Sequence, residues 1–284
     1  MNRLSIFIFG VICLGLVHPT PSWSSATLPT LDISTSQASS FVKTVGLCMD
    51  NRFYLPANVI GSALGIDIGI EATLVQPPSD LGDTLGSLSA SVSGSTTSTA
   101  VAVPFIPSIK LALHKSFGDR FQIGGSILPS TSAVPYIGGS ILLGFDAQLV
   151  LYKPEEGLTW AIRGSYNYNV LTITQSSVGF SIKTNTISPQ LVVSKRLDFA
   201  EPYAGAGFQY TWGSMQATAT IPQSASLPLV IAPITIGQTG QGSSPFFFLG
   251  LAMRIPYVGF KITMEGSYNP GGMNYMGAKI GFDF

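Results

Sequence analysis

Two residues invite a catalytic reading. His114 and Ser116 stand two apart, so in an extended chain they share a face. An imidazole beside a hydroxyl can serve as its base, provided a third polar group orients the ring. Spacing supplies no third member, and the pair carries meaning only in the right structural context. A second set is larger. Asp67, Glu71, Asp146, Arg163, Arg254, Lys261, Glu265 and Lys279 lie on one parity of segments whose other parity is apolar. Charges so placed either neutralise one another in an interior, where an unpaired one is costly, or line a path that selects polar solutes. Cys48 is the single cysteine after residue 26, and one thiol forms no internal disulfide. A buried, small-residue role suits it. With His114 the single histidine after residue 26, no metal site, no cofactor and no enzymatic activity are expected.

Something must hold these charges on one face. The chain has 284 residues, with 14 Lys+Arg against 14 Asp+Glu, 31 Gly and 19 Pro. Only 10% of residues are charged, well below the roughly 25% of an ordinary soluble domain. No basic stripe exists for nucleic acid, and the aromatic content argues against disorder. Arg3, the apolar run Leu4 to Val17 and the small residues Ser24, Ser25 and Ala26 read as a signal peptide over 1–26, cleaved near Ala26. The run is shorter than the ~20 residues of a spanning helix. Three units follow: the signal peptide 1–26, an N-terminal periplasmic or plug segment 27–59, and a β-barrel over 60–284.

After residue 26 the hydrophobic pattern has period two, in segments of about ten residues, which is the pattern of a transmembrane barrel. Ten strands are expected: 60–75, 105–116, 121–128, 136–152, 158–168, 187–195 (with a start as early as Phe180), 202–212, 244–255, 258–268 and 275–284. The fold class is therefore all-β, an antiparallel up-and-down barrel of about ten strands, within a range of eight to fourteen. Turns at 117–120, 153–157, 196–201 and 256–257 are short, whereas 76–104 and 213–243 are long and rich in Ser, Thr, Gly and Pro. Short periplasmic turns and long outer loops are the usual asymmetry. Trp160, Tyr168, Tyr210 and Trp212 are assigned to an outer aromatic girdle, and Tyr152, Tyr203, Tyr257 and Phe282 to an inner one. Hairpin spacing sets Asp146 near Arg163 and Glu265 opposite Lys279. Closure sets Asp67 and Glu71 beside Lys279. Thr35 to Leu47 reads as a short helix with the stripe Ala38, Phe41, Val42 and Val45. Pro56 then forces an extended chain at Leu55.

The last ten residues, YMGAKIGFDF, put Ile280, Phe282 and Phe284 on one face. This ending resembles the C-terminal strand of bacterial outer-membrane barrels, in which it is the signal read by the barrel-assembly machinery. The N-terminal helix and Pro turn resemble the plug of long-chain fatty-acid transporter barrels. The run Gly65 to Glu71 resembles the first strand of an uncharacterised family of proteobacterial outer-membrane proteins. His114 and Ser116 resemble the His-x-Ser of the outer-membrane phospholipase and the lipid A deacylase. These resemblances imply an outer-membrane location and contact with outer-membrane lipid and the assembly machinery. They also imply porin-like transport or binding of a small hydrophobic molecule. Two other classes stay open. One is a structural or surface-interaction barrel acting through 76–104 and 213–243; the other is a lipid-modifying enzyme using His114 and Ser116.

Overall fold

The computed structural model describes residues 35–50, 52–61, 64–78, 105–128, 137–175, 178–219, 234–255, 258–271 and 273–284. One helix, α1 (Thr35–Cys48), precedes ten strands. They are β1 (Ile66–Gln76), β2 (Ile106–Phe117), β3 (Phe121–Leu128), β4 (Ile137–Tyr152), β5 (Thr159–Gln175), β6 (Val178–Ser194), β7 (Ala200–Ala219), β8 (Ile234–Arg254), β9 (Phe260–Tyr268) and β10 (Asn274–Asp283). Each strand pairs with its sequence neighbours, and β1 pairs with β10, so the sheet closes as an antiparallel barrel. Closure leaves no unpaired edge in an apolar medium. Among the described residues no helix is long and apolar enough to cross a membrane.

The alternation of side chains decides which surface faces what. Along β1, exposed and buried residues alternate from Ile66 to Gln76. Ile68, Ile70 and Leu74 point out, whereas Asp67, Glu71 and Thr73 are buried inside. The same parity puts Ile162, Phe208, Leu249, Met264 and Ile280 on an apolar outer surface. Gly118 and Gly259 sit at φ 67 and 68, conformations that a side chain resists, and they form the tight turns before β3 and β9.

Several expectations shift. The strand count holds at ten, and the helix extends one residue past Leu47. Residues 60–65 precede β1 rather than belonging to it. β7 and β8 reach Ala219 and Ile234, so the two ends of the expected loop 213–243 are strand, and 220–233 lies outside the described residues. Most of the loop 76–104 lies outside the described residues, as does Tyr257. Trp160 opposes Tyr152, which places it at the short-turn end and not at the outer rim. Tyr203 is buried inside the barrel and is no girdle residue.

Candidate functional site

Segment 35–60 occupies the lumen. α1 packs on β6, β7 and β8. A Cβ at Gly240 or Gly242 would collide with Ser39, Val42 or the Lys43 stem, so these inward glycines make the room α1 needs. The Thr186 hydroxyl donates to the Gly46 carbonyl at 3.0 Å. Below α1, Asp50 accepts hydrogen bonds from Asn167 at 2.7 Å and Gln209 at 2.5 Å. The Arg52 guanidinium lies 4.0 Å from the Phe246 ring centre and 4.1 Å from that of Tyr275, a two-sided cation–π contact. The Arg163 fork donates to the carbonyls of Phe53 at 3.1 Å and Leu55 at 2.7 Å. Gln148 donates to the Ala57 carbonyl at 2.9 Å, Asn58 donates to Glu201 at 2.6 Å, and the Ile60 amide donates to Ser116 at 3.1 Å.

The lumen has two characters. Away from the short turns it is apolar. Ala38, Phe41, Val42 and Val45 pack against Leu171, Ile182 and Met215, with Met49, Ile106 and Phe180 alongside. Leu47 and Cys48 continue this layer against Val75, Met273 and Tyr275. Towards the short turns it is divided: Ala57 and Val59 pack on Val150, Ala161, Val192 and Phe248 on one side, and the β1, β2, β9 and β10 side is ionic. Lys279 contacts Asp67 and reaches Glu71 at 3.8 Å. Lys110 meets Glu71 at 3.5 Å, and Lys261 meets Asp67 at 3.8 Å. Arg254 pairs with Asp283 at the rim. Its side chain is 37% exposed, so it borders the lumen rather than lining its depth. A pocket of about 180 Å³ opens here, lined by Asn58, Arg196, Glu201, Arg254 and Lys261 and by apolar residues such as Val59, Leu197 and Phe199.

Closure does set Glu71 opposite Lys279. Two other pairings are corrected. Arg163 opposes Gln148, and Asp146 opposes Ser165. A register shift between Val150 and Tyr152 displaces the hairpin that was counted from the turn. Arg163 instead reaches across the lumen to Glu265 at 4.0 Å. Glu265 opposes Gly277, and Lys279 opposes Thr263. Glu265 accepts a hydrogen bond from Tyr203 at 3.0 Å.

His114 and Ser116 address different partners. His114 Nε2 lies 3.3 Å from Asp146, and Nδ1 lies 3.5 Å from Asp67 and 3.1 Å from the Lys279 ammonium. Ser116 accepts from Ile60 and donates to Gln122 at 3.3 Å. The pair therefore serves the ionic cluster and the plug, not one another. Sequence reasoning missed Asp50, Arg52, Tyr203 and Phe246 as lumen residues. The run of inward glycines on β7 and β8 was the one sign that bulky groups sit inside. Among the described residues no cluster of His, Cys, Asp and Glu could hold a metal.

No family model matches the chain, and no curated protein does. Among solved structures it is similar to the outer membrane protease OmpT of Escherichia coli, at 11% identity and TM-score 0.42, over 83% of this chain and 100% of that one. It is also similar to Ail, the attachment invasion locus protein of Yersinia pestis, at 11% identity and TM-score 0.32, over 76% of this chain and 93% of that one. A Pseudomonas aeruginosa FadL homologue matches at 8% identity and TM-score 0.27, over 87% of this chain and 98% of that one. None of their activities is carried over. The closed sheet, its apolar outer surface and its ionic interior make the chain a barrel of the outer-membrane type.

Proposed function

We propose that this barrel resides in the bacterial outer membrane after cleavage near Ala26. There it binds a small hydrophobic molecule in the outer half of its lumen and passes it inward only when α1 is displaced. The observation that carries the reading is the apolar layer between α1 and the walls at Leu171, Ile182 and Met215. This layer is an apolar lumenal surface at the end away from the short turns, and it suits an apolar ligand. The Ala38–Val45 stripe of α1 meets Leu171, Ile182 and Met215 through non-directional contacts, and the directional hydrogen bonds begin at Gly46 and Leu47 and continue into the residues that follow. Burial of Phe41, Val42 and Val45 is worth about 1.5–3 kcal/mol each, and a methylene about 0.8 kcal/mol. A chain of roughly eight methylenes therefore matches what α1 would give up.

The test is binding of a fluorescent fatty-acid analogue to the purified barrel. Ile182→Asn should weaken binding at least about tenfold, equivalent to 1.4 kcal/mol, while the barrel keeps its heat-dependent shift in gel mobility. Unchanged affinity in a folded variant overturns the reading. One observation favours a second reading, surface interaction. β7 has 20 residues and β8 has 21, against the 9–11 that cross a membrane. Their excess length projects beyond the bilayer as a wall. Normal probe binding by Ile182→Asn would favour that reading.

A further inference from the structure

We infer that segment 35–60 threads the lumen from end to end, so that Thr35 opens onto the outside of the cell. The inference is independent of the ligand. It rests on the order of contacts. Descending β5, Asn169 meets Met49, Asn167 meets Asp50, Arg163 meets Phe53 and Leu55, and Thr159 meets Asn58. Along β8, Gly240 lies under Ser39, Gly242 under Lys43, and Phe246 against Arg52. Each step along the segment is a step along the wall in one direction. The segment does not double back.

Its two ends are fixed. Ile60 is bonded to Ser116 and Gln122, beside the short turn that follows β2. Leu64 and Ile66 then donate to the Phe284 carbonyl, so the chain enters β1 at the end where β10 finishes. Thr35 lies at the opposite end, where α1 packs on Met215 and Ile182, beyond Thr211. β8 runs about 46 Å from Gly240 to Arg254 at roughly 3.3 Å per residue. Even tilted, that exceeds the apolar band of about 25 Å. The end carrying the short turns faces the periplasm in barrels of this type, which leaves Thr35, an exposed residue, on the outer side.

The experiment is cysteine labelling on intact cells in a Cys48→Ala background, with a membrane-impermeant maleimide. Pro270→Cys reports the β9–β10 turn at the outer end, and Asp119→Cys reports a short turn. The proposal expects Thr35→Cys and Pro270→Cys to be labelled on intact cells, and Asp119→Cys only after the outer membrane is permeabilised. Labelling of Pro270→Cys without Thr35→Cys overturns the threading. Labelling of Asp119→Cys in place of the other two overturns the outward assignment. If Thr35→Cys fails to accumulate as a folded barrel, an epitope placed just before Thr35 gives the same two answers through antibody binding to intact cells.

Discussion

Arg163 shows how a single side chain ties the wall to the thread. It bonds two backbone carbonyls of the segment and Gln190, and it faces Glu265. Arg163→Ala leaves those acceptors buried without their donor and takes from Glu265 the nearer of its cations, leaving Arg52. A loss of about 3–5 kcal/mol is expected, read as a lower urea midpoint, and Arg163→Lys should recover only part of it because the planar fork is lost. A midpoint like that of the unaltered chain would show that the fork carries no load. The inward position of Arg163 was legible in the period-two pattern. Its partners were not, because contacts across the lumen leave no mark in hairpin spacing. His114 and Asp146 make the same point. They sit on β2 and β4 and meet over Gly124 of β3, where any Cβ would collide with both. A glycine in a strand does not announce which neighbours will reach across it.

At the scale of the strand, the alternation that the sequence displays holds only where lipid enforces it. Leu249 is 68% exposed on the outer face. Leu249→Arg should cost about 2–4 kcal/mol if it lies near the bilayer midplane, measured by refolding into vesicles. A change within error would place that position outside the apolar band. Beyond the bilayer the outward row need not be apolar. The outer parts of β7 and β8, Gly213–Ala219 and Ile234–Ser243, are accordingly polar and glycine-rich, and they read as loop although they pair throughout. The girdle assignment of Trp160 failed for a related reason, since an aromatic near a strand end does not say which end. α1 was legible because its stripe faces one apolar wall, and all four stripe residues are buried.

For the molecule as a whole, most of the buried charges gather at the place where the barrel closes, with Asp50, Arg52, Arg163 and Glu265 elsewhere in the lumen. Asp67 and Glu71 lie on β1, Lys279 and Asp283 on β10, Lys110 and His114 on β2, and Lys261 on β9. Glu71 faces Lys279 and Lys110 across paired strands, which favours that pairing, and Lys261, Lys279 and Arg254 offset the like-charged pair Asp67 and Asp283. Asp67→Asn removes the anion shared by Lys279, Lys261 and His114. It should lower the temperature at which the SDS-resistant form is lost by more than Glu201→Gln, whose cation Arg196 is half exposed. Equal shifts would deny the seam any special part in closure. Near-zero net charge was visible from the start; its concentration at one seam was not, since it depends on which strands meet last. The lumenal segment gives that seam a further meaning. A ring that encircles its own chain, with an ionic knot below and long strands above, is a rotaxane made from one polymer. Such an object cannot be sealed first and filled afterwards without pushing a helix lengthwise past buried hydrogen bonds. The order of assembly that avoids such a passage has the lumenal segment lie down along β5 to β8 while the sheet is still open, with β1 and β10 meeting last.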